Sequence, residues 1–289
     1  MIDPSIHPTH RFRLAAYALA GTACLTTAAS AQEAMYTAAA TMPSPGTGVV
    51  RPQVNYFRYG TNPLNPDEES TDVAEAMTTV AWGLDRGLAL FVDVPVVFER
   101  ENTTTGDDDW NEGVDDIDAM LKWRFYQHDS GGIDTVRAAL LGGAKVASGD
   151  SDDFSSGSVN PHLGAVLTVV NGRHGFNQDV SYTWNTGGTR ETNLGGDGPS
   201  DALSFNSAYV YRVWPEQFTS ESNGAWYITA EINNLYETNG DFESRWAPGL
   251  MYEGRRVSFE VMAQFPLYND LDERPELDLA LGIGLRVSF

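Results

Sequence analysis

Cysteine is almost absent from this sequence of 289 residues. The single cysteine, Cys24, lies in an N-terminal stretch with the layout of a secretory signal peptide: Arg11 and Arg13 precede an apolar run, and the small residues at 29–31 suit a cleavage site. We therefore predict that residues 1–31 are a removed signal peptide. The mature chain would have no thiol, which excludes disulfide bonds, thiolate metal sites and cysteine nucleophiles.

Basic residues and long apolar runs are also scarce. The chain has 18 Lys and Arg against 40 Asp and Glu, a formal net charge of −22, which becomes −23 without the one acid and two bases of residues 1–31. Such an acidic chain is unsuited to nucleic acid, so we expect no nucleic-acid partner. After the predicted signal, no stretch reaches the ~20 apolar residues of a membrane helix. A periplasmic protein, an extracellular protein and an outer-membrane barrel remain, since barrel strands are individually weak hydropathy signals.

Apolar residues instead recur at every second position. Residues 88–98 place Leu, Leu, Val, Val, Val and Phe in alternation, and the closing residues 277–289, LDLALGIGLRVSF, place seven apolar residues in the same way. Period-two alternation is typical of strands. It predicts about 12 of them, at about 49–60, 71–83, 88–98, 117–126, 136–146, 163–169, 176–184, 203–213, 226–232, 246–252, 257–267 and 277–289.

The number and length of these strands decide the predicted fold class. With their flanking residues these segments form predicted strands of about 10 to 15 residues, which exceed the ~5–6 residues of ordinary globular strands and suit tilted strands that cross a bilayer. We predict an all-β protein, a single antiparallel transmembrane β-barrel of about 12 strands in the bacterial outer membrane, over residues 49–289. Residues 32–48 are predicted to be a flexible N-terminal segment, in the lumen or in the periplasm. A secreted β-sandwich, which also alternates, is the alternative fold.

The links between the predicted strands differ in length and charge. Six long links, at about 61–70, 99–112, 148–157, 186–200, 237–242 and 268–275, hold 19 acidic and 3 basic residues, a net charge of −16. The other five links hold 4 acidic and 3 basic residues, a net charge of −1. Long external loops and short periplasmic turns are expected of a barrel. The charge is therefore predicted to lie on the external rim.

On each predicted strand, the alternating apolar residues are taken to face lipid. The residues between them are predicted to line the lumen. A narrow interior pairs its charges, either to hold the barrel together or to select solutes. The charged candidates are Glu75, Asp93, Asp118, Lys122, Arg124, Arg137, Lys145, Asp179, Arg212, Glu231, Arg245, Glu260, Asp278 and Arg286.

Metal and catalytic chemistry find little support in the sequence. The acidic stretches 107–109 and 148–153 offer carboxylates for divalent cations, but they lack the spacing of a calcium loop, and solvated loops are the simpler interpretation. His128 and His174 fall in predicted periplasmic turns, and His162 has no serine partner that the sequence identifies. We expect no metal site, no cofactor and no enzymatic activity.

Several segments together resemble a known family. They include RPQVNYFRYG, WGLDRGLALFVDVPVVFE, GVDDIDAMLKWRFY, EINNLYETNG, RWAPGLMYE and LALGIGLRVSF. Over most of residues 49–289 the chain resembles the bacterial outer-membrane family named for the meta-pathway of phenol degradation. The resemblance implies a transporter-like barrel that takes up small aromatic or other hydrophobic compounds.

The predicted function is a channel or uptake protein for small, hydrophobic or aromatic molecules. Apolar lumen contacts for such a solute would come from Phe91, Met120, Tyr126, Tyr227 and Met262. The alternative is a non-conducting structural or adhesion barrel with acidic external loops. The expected partners are outer-membrane lipid with lipopolysaccharide, the small-molecule solute, and the barrel-assembly machinery, for which the terminal Phe289 would be the assembly signal.

Overall fold

The structure, a computed structural model, describes residues 32–65, 67–104, 110–150, 154–187, 196 and 198–289. The predicted signal peptide, the acidic residues 107–109 and part of the acidic stretch 148–153 lie outside these residues. The strands are β1 Gly48–Tyr59, β2 Glu68–Asp85, β3 Leu88–Thr103, β4 Trp110–Val114, β5 Ile117–Ser130, β6 Asp134–Val146, β7 Asn160–Asn171, β8 His174–Thr183, β9 Ala202–Trp214, β10 Gly224–Glu237, β11 Phe242–Gly254, β12 Val257–Asp270 and β13 Leu277–Ser288.

These strands close into one antiparallel barrel. β1 pairs with β2 on one side and with β13 on the other, so the described sheet has no free end. β4 and β5 both pair with β3: β4 pairs with residues 96–100 and β5 with residues 88–93. The two therefore act as one interrupted strand. The barrel thus has 12 strands, which confirms the predicted fold class and strand number. The described residues contain no helix long and apolar enough to cross a bilayer.

The two faces of each strand have opposite character. On β10, Trp226, Ile228 and Ile232 expose 43–45% of their surface, whereas Tyr227 and Glu231, between them, are buried. Apolar side chains outside and charged side chains inside are the reverse of a water-soluble protein. Water would oppose such an outer surface and lipid would accept it. The barrel is accordingly a bacterial outer-membrane protein.

Two irregularities move predicted side chains to other positions. A bulge in β5 between Arg124 and Tyr126 pairs Tyr126 with Ala138 of the outer face, and Tyr126 is 48% exposed. A bulge between Arg58 and Tyr59 lies opposite the start of β13, where Leu277 is buried and Asp278 is exposed. A bulge adds one residue to one strand and so reverses the side-chain alternation beyond it. The predicted places of Tyr126 and Asp278 in the lumen are therefore wrong.

The two ends of the sheet meet at the last residue. Phe289 donates its backbone N–H to the Gly48 carbonyl (3.0 Å) and accepts the Gly48 N–H (2.9 Å). Its exposed ring lies beside Trp82, with 6.3 Å between ring centroids, and covers the face of Gly48 that has no side chain. Phe289 thus takes part in the seam that closes the barrel, while its role as an assembly signal stays a prediction.

Candidate functional site: the barrel lumen and its N-terminal segment

The chain before the first strand lies inside the barrel. We call Gln32–Thr47 the lumen segment. Its middle is fully enclosed, because Thr37, Ala39 and Ala40 each expose at most 1% of their surface. It then runs back to the end of the barrel where β1 begins and β13 ends. There Pro45 forms an isolated β-bridge with Gly83 of β2. Of the two places that the sequence left open for this segment, the structure shows the lumen.

One buried carboxylate binds the turn of the lumen segment. Glu231 is 0% exposed, and its two oxygens accept the backbone N–H groups of Met35 (3.1 Å), Tyr36 (3.2 Å) and Thr37 (2.6 Å). The Thr37 hydroxyl donates a fourth hydrogen bond to the same group (2.6 Å). Hydrogen bonds to a charged acceptor are about twice as strong as neutral ones, so this carboxylate is a strong anchor.

Other polar groups hold the lumen segment from several sides. Asp179 of β8 accepts the Ala38 N–H (2.7 Å), and the Thr168 hydroxyl of β7 accepts the Ala40 N–H (2.8 Å). The ammonium group of Lys122 of β5 donates to the Ala39 carbonyl (2.9 Å). Side chains of three strands thus satisfy backbone polar groups in the middle of the segment, where no sheet partner is available.

Two ion pairs complete this anchoring on β1 and β13. Arg51 binds Glu260 (2.8 Å) and also donates to the Ala34 and Met35 carbonyls. Arg286 pairs with Glu33 of the segment itself (3.4 Å). A buried charge is costly unless it is paired, so removal of either partner would leave an uncompensated ion in the lumen.

Apolar contacts fill the spaces between these polar groups. Ala34 packs in a buried cluster with Tyr227, Met35 packs with Met262, and Ala40 packs in a cluster against which Met120 lies. Three of the predicted apolar lumen residues therefore contact the segment or its cluster. The fourth, Phe91, lies beneath the Lys122 ammonium group, 4.4 Å from the ring centroid.

Two cavities lie on the side of the lumen segment that faces the long links, and Tyr36 lines both of them. The first, of about 340 Å³, is lined by side chains that include Asp118, Lys145, His162 and Asp179. The second, of about 380 Å³, we call the amide cavity; it is lined by side chains that include Gln53, Asn55, Asn206, Asn233 and Gln264. Both share Tyr36, Ser204 and Asn206. Together they form a vestibule with the lumen segment as its floor.

External loops fold into the mouth above this vestibule. Phe154 is 1% exposed and packs in a cluster with Tyr59 and Leu277 at the inner wall. In the loop before β13, the side chain of Arg274 is 0% exposed and binds Glu237 (2.6 Å) and Glu243 (3.3 Å). The described loops therefore narrow the mouth of the barrel as well as form its rim.

Strand register places thirteen of the fourteen predicted charged residues on the inner face, with Asp278 as the exception. Five of them bind the lumen segment or its direct partners: Lys122, Asp179, Glu231, Glu260 and Arg286. Four line the vestibule, namely Glu75, Asp118, Lys145 and Arg245, and Asp93 lies opposite Asp118. The other three, Arg124, Arg137 and Arg212, lie towards the end with the short turns.

The described residues form no recognisable catalytic or metal site. His162 binds Asp118 (2.9 Å), with no serine in the pair, and His128 contacts Ser130 (3.3 Å) only at the exposed end of β5. No group of three or more metal-binding side chains occurs in the part of the chain that the structure describes. His162 and Asp118 are therefore best understood as an inward polar pair of the vestibule wall.

Sequence reasoning passed over the uncharged polar residues of the lumen. Gln53, Asn55, Asn233 and Gln264 follow the inward parity of their strands, so the same alternation that selected the charges would have found them. Arg274 had no such signal, because it lies in a loop and its partners are far away in sequence.

Comparisons with known proteins agree with the barrel architecture. An outer membrane channel from Pseudomonas putida is similar, with a TM-score of 0.55 and 12% sequence identity, over 88% of this chain and 98% of that chain. The chain shares that barrel fold. The NanC porin (TM-score 0.46, 12% identity, 82% and 98% covered) and the translocator domain of the autotransporter NalP from Neisseria meningitidis (0.47, 13%, 86% and 90%) are more distant.

No family model and no curated protein sequence matches the chain. The name of the phenol-degradation family therefore stays a prediction from the quoted segments. What the comparison supports is the architecture of an outer-membrane barrel.

Proposed function

We propose that this protein is an outer-membrane channel or uptake protein for small solutes, with the lumen segment as its closing element. The observation that carries the proposal is the position of that segment. Its enclosed part fills the middle of the lumen below a vestibule, belongs to no strand and is held by side chains, and only its end at Pro45–Thr47 bonds to the backbone of β2. Its release would open the lumen without any break in the barrel wall.

The lining of the vestibule favours polar solutes. The hydrophobic or aromatic cargo predicted from sequence needs a continuous apolar path, but Tyr227, Met262 and Met120 are engaged with the lumen segment and its cluster. The wall above the segment presents amides, hydroxyl groups and paired charges instead. We therefore propose small polar solutes as cargo, and an aromatic compound serves as the comparison.

Refolded full-length mature protein in planar bilayers and liposomes tests this proposal. We expect small, intermittent currents from the full mature chain, and larger, steadier currents from a variant that lacks residues 33–44. Liposome uptake of a labelled polar solute should exceed that of a labelled aromatic of similar size. Heat-modifiable migration of each preparation verifies that the barrel has folded.

If folded full-length and shortened proteins both pass neither current nor solute, the channel proposal is wrong and the non-conducting barrel is favoured. If the aromatic compound is taken up and the polar solute is not, the cargo class proposed here is wrong and the cargo predicted from sequence is supported.

A further inference from the structure

We infer that the amide cavity is a binding site for a neutral polyhydroxylated solute of about the size of a mono- or disaccharide. The cavity volume of about 380 Å³ lies within the ~300–1,000 Å³ that is usual for small-molecule sites. This inference deepens the proposed function and rests on it, because the site lies directly above the lumen segment on the proposed path.

The polar side chains of the amide cavity are held in fixed orientations. Arg245 donates to the Gln264 carbonyl oxygen (3.5 Å), Gln264 donates to that of Asn233 (2.9 Å), and Asn233 donates to the Thr37 hydroxyl (3.5 Å). On the opposite side, the Tyr36 hydroxyl donates to the Asn55 side-chain oxygen (3.4 Å). This chain fixes which end of each amide is donor and which is acceptor, so the wall is organised before a solute arrives.

Some of the wall's hydrogen-bonding capacity is unused. The Nε2 atom of Gln53, the Oε2 atom of Glu243 and the Nε atom of Arg245 are buried and have no hydrogen-bond partner among the described residues. All three residues line the amide cavity. Buried polar atoms without partners are unfavourable, and Gln53 can relieve its own by turning its amide towards a solute in the cavity.

The charges of the cavity favour a neutral solute. Arg245 is bound to Glu243 (2.6 Å), and Glu75 is also engaged, so neither sign of charge is left uncompensated. A charged solute would need an opposite charge in this site to offset its loss of hydration. A hydroxyl group both donates and accepts, which matches a wall of amides, and the rings of Tyr36 and Phe57 offer flat apolar surfaces for C–H groups.

Calorimetric titration of the full-length mature protein in detergent tests the inference. The probes are glucose, maltose, sucrose and sorbitol, with putrescine, gluconate and phenol for comparison. We expect saturable binding of at least one neutral polyol. Gln53→Met and Gln264→Met, which keep side-chain length but remove the amide, should each weaken that binding by about tenfold, the loss expected for one or two hydrogen bonds.

Thr183→Val, in the wall of the other cavity, is the matched control and should leave the affinity unchanged. The Nε2 atom of Gln53 has no hydrogen-bond partner among the described residues, so replacement of this side chain should not impair folding even if that of Gln264 does. If none of the neutral polyols binds, if putrescine, gluconate or phenol binds in their place, or if Gln53→Met has no effect on polyol affinity, the inference is wrong.

Binding and transport can fail separately in these experiments. Polyol binding without uptake of solute into liposomes would support the binding site and overturn the uptake function. Flux of a polar solute without measurable polyol binding would support the uptake function and overturn the site.

Discussion

At the scale of single residues, Glu231 connects the barrel wall to the segment that fills it. A carboxylate can accept several hydrogen bonds at once, and here three consecutive backbone N–H groups and one hydroxyl point at it. A glutamine in its place would present an N–H₂ group to these donors. The anchor would then lose about half of its hydrogen bonds and all of its charge.

We expect Glu231→Gln to release the lumen segment. Loss of two hydrogen bonds worth about 1.4 kcal/mol each would shift the ratio of closed to open channels by ~100-fold. Single-channel recording should therefore show a higher open probability than in the parent protein. Asp118→Asn also removes one inward negative charge but lies at the His162 pair, and it should leave the open probability unchanged. Equal open probabilities for Glu231→Gln and the parent protein would contradict the anchoring role.

At the scale of elements, Asp116 joins the break between β4 and β5 to an external loop. It accepts the N–H groups of Ser148, Gly149 and Ser156 and the hydroxyls of Ser155 and Ser156. Burial opposes its ionisation, but the hydrogen bonds from Ser156 and Ser155 outweigh burial and hold the pKa of Asp116 below its ordinary value. The ionised form is therefore the one that binds the loop.

We predict that acid, or Asp116→Asn at neutral pH, frees this loop. Since the pKa of Asp116 is lower in the folded protein than in the unfolded chain, its stabilising contribution is complete above the unfolded pKa and is lost as the pH falls through the folded value. Hydrogen exchange measured by mass spectrometry, corrected for the intrinsic effect of pH, should show faster exchange at Gly149 and Ser156 in both cases.

Asp134→Asn is the control for that experiment, because Asp134 binds the Gly172 N–H in a turn at the other end of the barrel. It should leave exchange in the external loop unchanged. If Gly149 and Ser156 exchange as slowly in the Asp116→Asn variant as in the parent protein, the loop is held by other contacts.

Alternation in the sequence was sufficient to predict the strands but not their irregularities. Each predicted strand corresponds to a strand of the barrel, because lipid outside and a polar lumen inside impose period two along every strand. The bulges near Phe125 and Tyr59 depend on the fit between neighbouring strands, so the sequence around Tyr126 and Leu277 does not reveal them.

The position of the lumen segment was beyond sequence reasoning for a different reason. Residues 32–47 have no periodicity, and their partner Glu231 is more than 190 residues away in sequence. The parity of β10 identified Glu231 as an inward carboxylate, yet nothing in the strand indicates that its partners are backbone N–H groups. Only the folded barrel brings the two together.

At the scale of the whole molecule, the two ends of the barrel differ in charge. The described residues of the six long links include 12 acidic and 2 basic residues, a net charge of −10, and lie at the end away from Gly48 and Phe289, whereas the other links carry −1 in total. Cations gather at an acidic rim and anions are repelled from it, over a distance of ~10 Å at 0.1 M salt. The two mouths of the barrel are therefore expected to hold different local concentrations of ions.

We predict that this asymmetry makes the open barrel a rectifier. In symmetric salt, the shortened variant without residues 33–44 should carry unequal currents at equal voltages of opposite sign, since one polarity drives ions from the cation-rich mouth. The inequality should fade at 1 M salt, where the Debye length is only ~3 Å, and shrink when acidic loop residues such as Asp272 and Glu273 are replaced by their amides. A linear current–voltage curve at ~0.1 M salt would show that the rim charge does not reach the conduction path.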